Sequence, residues 1–348
     1  MYKTCDKLLD RKDFESAYEI VEKSNLNVRR TPCLQIRSDS DEDEVCKLFS
    51  DLKNFNQQGW SKVFLKCENL QNTGSFKLRG VSTQFAAALR EFSGLSQKKC
   101  GELELVTMSA GNYGRSYAYA AQSLGLPATV LMPDTAPANR AEMLRNYGLQ
   151  VEKMPSALLM DGVKKHETNG KLFMHPFDDI NLIAGHGSLG MEILKDVPDA
   201  DAIAVCCGGG GLLAGVAAAV KLCKPSCKVY GVEPETACSM QRSLEEGQAV
   251  KMPTARSVAA GLAPPFAGEN AFQHAKEFVD EVFTVSEEEI EIATRAAFNN
   301  GLVVEPSGAA ALAAFMHNKF KKEVQERNFV IVLTGGNVSP DELHDMFK

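Results

Sequence analysis

Apolar runs and helical stretches alternate along most of this chain, and that alternation restricts its fold more than any other feature. Leu103 to Met108 reads as strand, Arg115 to Leu124 as helix, Ala128 to Met132 as strand, Ala138 to Tyr147 as helix and Gln150 to Met154 as strand. The pattern resumes with a strand from Ala202 to Cys207, a glycine run, a helix from Leu212 to Leu222 and a strand from Lys228 to Val232. A last apolar strand, Phe329 to Leu333, runs into Thr334-Gly335-Gly336-Asn337. Strands separated by helices pair in parallel, because the helix supplies the crossover that a parallel pair needs. At 348 residues the chain exceeds the size at which one core stops growing, so two units are expected. The fold class is therefore α/β, with two doubly wound parallel-sheet domains, and no fixed-period repeat argues for a solenoid.

Composition excludes several classes. A net charge of -7 argues against nucleic acid or an anionic membrane as the main partner. No window carries the ~18 uninterrupted apolar residues of a membrane span, and the start, Met1 to Lys7, lacks a signal-peptide core, so a soluble, cytoplasmic protein is expected. Ten cysteines at irregular spacing do not form a disulfide framework, and Cys223 and Cys227 lack the companions of a zinc site. The acidic segment from Asp39 to Gly59, with a short helix expected near Val45 to Leu52, reads as a surface excursion without chemistry.

In an open parallel sheet, ligands bind beyond the carboxyl ends of the strands. Four loops there carry chemistry. After the strand Val63 to Leu65, the turn Cys67 to Phe76 delivers Lys77 at a helix start, where free N–H groups collect anions. That suits a Schiff-base lysine, although a solvated surface lysine explains the segment equally when it is taken alone. Ser109-Ala110-Gly111-Asn112-Tyr113-Gly114 opens a helix and offers amides and a hydroxyl to a carboxylate; an ordinary N-cap explains it as well. Gly208-Gly209-Gly210-Gly211-Leu212 joins a strand to a helix of small residues. Four glycines cost backbone entropy, which points to close approach by a phosphate. The loop has neither the Lys-Ser/Thr ending of a P-loop nor the dinucleotide spacing, so a cofactor with a single phosphate is favoured over a nucleotide. Thr334 offers a neutral hydroxyl to a ring nitrogen, though strand-end threonines commonly have no ligand. Together the loops meet the needs of pyridoxal phosphate holding an amino acid.

From about Thr31 to Val338 the chain resembles the fold-type II pyridoxal-phosphate enzymes, in particular the threonine/serine dehydratase and serine racemase group. The resemblance rests on Thr31-Pro32, Glu68-Asn69, Gly74-Ser75-Phe76-Lys77, Ser109-Ala110-Gly111-Asn112, Pro133, Gly185-His186-Gly187, the tetraglycine, Gly231-Val232-Glu233-Pro234, Glu305-Pro306-Ser307-Gly308 and the Thr334 loop. It implies a fold like the tryptophan synthase β-subunit, with residues 1–100 and 180–348 as a large cofactor-binding domain and 101–179 as a small domain closing over the substrate. It also implies that Lys77 carries the cofactor and later removes the substrate Cα proton, that Phe76 backs the ring and that Asn112 bonds its 3′ oxygen. Gly208 to Gly211 and Leu212 would cradle the phosphate, and Thr334 would meet the ring nitrogen. Ser109, Ala110, Gly111, Asn112 and Tyr113 would face the substrate. A divalent (Mg²⁺ or Ca²⁺) or monovalent cation would be sought at Glu233, Ala237 and Ser239, where Ser239 replaces the family's second acid; Glu233 capping a turn is the equal alternative. A homodimer is implied too.

The departures set the expected reaction. Racemases of this group place a serine where this chain has Ala110, and an alanine carries no proton to the opposite face of Cα. The run Gly261 to Gly268 lacks the serines that racemases put near the substrate hydroxyl, and Tyr113 replaces a histidine often found there. L-Threonine/L-serine dehydration, giving a 2-oxo acid and ammonia, is therefore expected. Serine or aspartate racemisation, or dehydration of 3-hydroxyaspartate or phenylserine, is the alternative, and a non-catalytic sensor is a third. The chain ends soon after the Thr334 loop, so no appended regulatory domain is expected.

Overall fold

The computed structural model describes residues 7–37, 60–94, 103–252, 256–320, 328–346 and 348. The acidic excursion at 39–59 lies outside them. Two sheets form the framework. The larger is ordered β1 (Cys33–Arg37), β2 (Lys62–Cys67), β10 (Asn328–Leu333), β7 (Ala202–Cys206), β8 (Lys228–Pro234) and β9 (Glu281–Val285). All its pairs are parallel except the edge pair of β1 with β2. The smaller is wholly parallel and ordered β5 (Gln150–Met154), β4 (Ala128–Pro133), β3 (Leu105–Met108) and β6 (Leu172–Phe173). Central strands β7 and β10 are buried at every position, as expected of strands covered on both faces.

Helices follow the strands as the alternation requires: α1 (Arg11–Glu22), α2 (Lys77–Gly94), α3 (Asn112–Leu124), α4 (Ala138–Asn146), α5 (Leu159–Thr168), α6 (Ile180–Asp196), α7 (Gly211–Cys223), α8 (Ser239–Glu246), α9 (Glu269–Phe278), α10 (Glu287–Asn299), α11 (Pro306–Met316) and α12 (Pro340–Met346). Helix α3 starts at Asn112, three residues before the expected Arg115. The Ser109 hydroxyl accepts the amide of Gly114 at 3.0 Å, so the polar loop is itself the first turn's cap. Small residues in α7 and α11 allow the helices to lie tightly on the larger sheet. A Cβ at Gly215, for example, would come within 2.3 Å of the Ile183 carbonyl of α6. Helix α2 sends Leu78, Val81 and Phe85 into one apolar cluster with Leu105, Tyr113 and Tyr117, which belong to the smaller sheet and its helix α3. The turn that carries Lys77 thus sits where the two sheet systems meet.

Candidate active site

Strand β2 ends at Cys67, and the chain makes a short 3-10 turn at Glu68–Leu70 before α2 begins at Lys77. Gly74 has φ +75, a left-handed conformation that glycine accepts without strain, and a Cβ there would meet the Asn337 side chain at 2.2 Å. The turn is pinned to the end of β10: Phe76 N–H donates to the Thr334 carbonyl at 3.1 Å, Gly336 N–H donates to the Gly74 carbonyl at 2.9 Å, and Ser75 bridges Gly335. Phe76, Lys77 and Thr334, expected as site residues, are therefore brought together by backbone pairing.

Lys77 is half-buried, and its amine has no carboxylate partner among the described residues. Its Nζ donates to the carbonyl of Pro176 at 2.9 Å and lies 5.0 Å from the Phe76 ring centroid and 5.8 Å from that of Tyr113. Burial lowers its pKa from 10.5 to about 7, because an ammonium loses hydration there and gains no counter-charge. An amine that is substantially neutral at physiological pH can attack a carbonyl or take a proton.

Pro176 leads from the lysine to the glycine loop. The next residue, Phe177, packs against the tetraglycine so closely that a Cβ at Gly209 would lie 2.2 Å from its ring and one at Gly211 2.2 Å from its carbonyl. Gly210 has φ +92. At this strand-to-helix junction the N–H groups from Gly208 to Leu213 find no backbone acceptor among the described residues. Orphan amides at the start of a thirteen-residue helix, in a loop where no side chain fits, match a phosphate group. His175, Pro176, Phe177 and Asp178 were not among the residues expected from sequence. The available signal was their place directly after β6, the same strand-end position as the other four loops.

Asn112 is held from both sides. Its Nδ2 donates to Glu305 Oε1 and its Oδ1 accepts from Asn337 Nδ2 at 2.7 Å. A Cβ at Gly335 would sit 2.3 Å from that Glu305 oxygen and 3.1 Å from Asn112 Nδ2, so the glycine beside Thr334 is what admits the pair. Burial raises the Glu305 pKa, against the opposing effect of the Asn112 hydrogen bond. Ser109 caps α3, and Ala110 follows it on the same loop. Tyr113 turns its hydroxyl into the core, donating to Gln84 Oε1 at 2.7 Å. The Thr334 hydroxyl is buried and donates a long hydrogen bond, 3.4 Å, to the Ser307 carbonyl, and Ser75 Oγ is buried without a partner among the described residues.

The residues expected to hold a cation lie at the carboxyl end of β8 and in the turn and helix start that follow it. Both Glu233 oxygens accept amides of the first turn of α8, Met240 at 2.9 Å and Gln241 at 2.8 Å. Burial pushes the Glu233 carboxyl up to about 8. Ala237 lies in the intervening turn, and Ser239 Oγ is buried without a partner among the described residues. No group of three or more His, Cys, Asp or Glu side chains suited to a metal occurs among the described residues.

A lysine whose pKa is lowered by desolvation, a glycine loop with unpaired amides among the described residues and a polar strand-end loop are the parts that a phosphorylated aldehyde cofactor needs. The chain belongs to the pyridoxal-phosphate dependent enzyme family, whose signature matches residues 27–335. It is 38% identical to an L-threonine ammonia-lyase of Thermotoga maritima over 286 residues, 80% of this chain and 67% of that one. It is 36% identical to a serine racemase of Schizosaccharomyces pombe over 296 residues, 81% of this chain and 86% of that one. Among solved structures, maize serine racemase superposes with a TM-score of 0.82 at 29% identity, covering 98% of this chain and 97% of that one.

Proposed function

We propose that this protein is a pyridoxal-phosphate-dependent ammonia-lyase that dehydrates L-threonine and/or L-serine to a 2-oxo acid and ammonia. The carrying observation is that Lys77 is a half-buried amine brought to about pH 7 by desolvation, while the position expected for a second proton carrier is Ala110. Bound here, pyridoxal phosphate supplies an electron sink that acidifies the Cα hydrogen of an attached amino acid. Gly208 to Gly211 and Leu212 would hold its phosphate, Lys77 would carry it, Phe76 would back its ring, Asn112 would meet the 3′ oxygen, and Thr334 would offer a neutral hydroxyl to the ring nitrogen. Ser109 to Tyr113 line the substrate carboxylate side. Lys77 Nζ, when neutral, would take the Cα proton on one face. Ala110 cannot return one on the other, and the Tyr113 hydroxyl is committed to Gln84. The β-hydroxyl would then leave as water, so that the Cα–H and Cβ–O bonds break and a Cα=Cβ bond forms.

The small domain, 101–179, closes over the substrate in this reading, and its Tyr113 ring already lies beside Lys77 Nζ. At Glu233, Ala237 and Ser239 the reading favours helix capping over ion ligation, because one carboxylate is present and two amides occupy it; chelator treatment is expected to leave turnover unchanged. A homodimer in the cytoplasm completes it. Leu70 and Val303 lie exposed on neighbouring loops, and no described helix is long and apolar enough to cross a membrane. Sedimentation at working concentration checks the dimer.

The function is tested with purified, cofactor-loaded protein and a panel of both enantiomers of serine, threonine and 3-hydroxyaspartate. Release of 2-oxo acid from L-threonine or L-serine is expected, with no D-enantiomer recovered by chiral chromatography. Absence of 2-oxo acid from both overturns the proposal, and accumulation of D-serine favours the racemase reading that the yeast relative suggests.

A further inference from the structure

The side chain that meets the cofactor ring is an amide, and an amide can present either an oxygen or an N–H. Which one Asn112 presents depends on a chain of hydrogen bonds that begins outside the site. Arg115 Nη1 donates to Asn337 Oδ1 at 2.7 Å. A guanidinium has donors only, so the Asn337 oxygen must face it. The Asn337 Nδ2 then has its two hydrogens directed at the Thr73 carbonyl, 2.9 Å away, and at Asn112 Oδ1, 2.7 Å away. Asn112 consequently turns its oxygen toward Asn337 and its Nδ2 toward Glu305 Oε1. One Asn112 N–H is consumed by Glu305, and the other remains to be donated.

We infer that Asn337 is a positioning residue: held by Arg115 and Thr73, it fixes the rotamer of the Asn112 amide so that an N–H, and not the carbonyl oxygen, is presented to the cofactor's 3′ oxygen. The inference rests on the assignment of Asn112 to that oxygen in the proposed function. Its logic is polarity rather than packing. A donor-only group stands at one end and a carboxylate at the other, with two asparagines in series between them, so neither amide can turn round without placing like groups face to face. The device is also sterically reserved. Gly74 and Gly335 are the positions at which a Cβ would strike Asn337 Oδ1 at 2.2 Å and Glu305 Oε1 at 2.3 Å. The other charged groups acting on Glu305 are Arg115, Arg140 and Glu342, and Arg140 donates to the Asn337 carbonyl at 3.3 Å, which anchors the backbone of the same residue.

Asn337→Asp tests this at constant shape, since it replaces the donor by a second acceptor. Cofactor dissociation constant and the pH midpoint of bound-cofactor absorbance are measured for wild type, Asn337→Asp, Asn112→Ala and the double variant, with thermal unfolding as the folding control. Loss of one oriented hydrogen bond is expected to weaken cofactor binding about three- to tenfold. The midpoint moves upward, because an N–H donated to the 3′ oxygen stabilises the form with more negative charge on it. In the Asn112→Ala background the Asn337→Asp change is expected to add nothing. Additive effects, or an Asn337→Asp protein that binds cofactor like wild type, overturn the inference. If Asn112→Ala alone changes neither quantity, the ring contact itself fails and the inference with it. Should Asn337→Asp fail to fold, Arg115→Met, which removes the donor at the far end, is read in the same cycle with an effect of about two- to threefold.

Discussion

Lys66 and Lys77 stand on the same strand–turn–helix unit, the first buried and the second half-buried, and their surroundings differ in charge. Lys66 Nζ, on a side chain with 0% exposure, contacts the Thr31 carbonyl, Glu192 Oε1 and Asp196 Oδ2, each at 2.7 Å. Lys77 Nζ has the Pro176 carbonyl alone among the described residues, and its pKa falls to about 7. Two carboxylates pair with the first, whereas the second is desolvated without a counter-charge, which favours its neutral form. The same network protects the reactive lysine's position. Arg79, two residues beyond Lys77, donates to Glu68 through Nε and Nη2 at 2.9 Å each and to Glu192 through Nη1 at 3.0 Å and Nη2 at 2.9 Å. Burial works against the Arg79 charge, and Glu68 and Glu192 raise its pKa nonetheless. The paired charges thus brace the helix start on which the unpaired amine sits.

The largest expected effect separates the two lysines by function. Lys77→Ala should lower steady-state release of 2-oxo acid by about 10²–10⁴-fold or more, the usual worth of a positioned base, with unchanged circular dichroism. Lys66→Met should retain turnover in whatever fraction remains folded. Stability should separate them in opposite directions. Lys66→Met leaves Glu192 and Asp196 without their buried partner and is expected to cost about 3–5 kcal/mol in urea unfolding. Lys77→Met removes an amine that burial disfavours and should stabilise the cofactor-free protein by up to about 4 kcal/mol.

A third outcome concerns pH. The Lys77 pKa is lower in the folded protein than in the unfolded chain, so the unfolded chain binds the extra proton between about 7 and 10.5. Stability of the cofactor-free protein should therefore rise with pH across that window, by at most about 1.4 kcal/mol per unit, and the cost should be fully present below it. The difference between wild type and Lys77→Met in urea titrations at several pH values isolates this contribution, and a flat difference would break the comparison. The smallest effect is expected at Arg30, whose exposed guanidinium pairs with Asp196 at the rim of the Lys66 cluster. Arg30→Ala should shift the same unfolding assay least of these variants, because solvent screens an exposed pair.

Much of this was legible in the sequence because it is local. The strands, the helices after them, Lys77, the tetraglycine and Thr334 all announce themselves within short stretches of chain, and strand-end loops in a parallel sheet converge by topology. What distinguishes Lys77 from Lys66 is not local. The acceptor of Lys77 lies 99 residues away and Asp196 lies 130 residues from Lys66. Glu305 is separated from Asn112 by 193 residues, so a carboxylate read only as part of a Glu-Pro-Ser-Gly motif is found to hold the Asn112 amide. Tyr113, placed by sequence among substrate-facing residues, spends its hydroxyl on Gln84, a contact that helical spacing alone does not disclose.

The central claim is that unpartnered burial selects one lysine to carry the cofactor. It is tested by reducing the pyridoxal-phosphate-loaded protein with borohydride, digesting it and locating the modified lysine by mass spectrometry. The account predicts the phosphopyridoxyl group on Lys77 with Lys66 unmodified. Its appearance on Lys66 or another lysine, or its absence from a protein that binds the cofactor stoichiometrically, would contradict it.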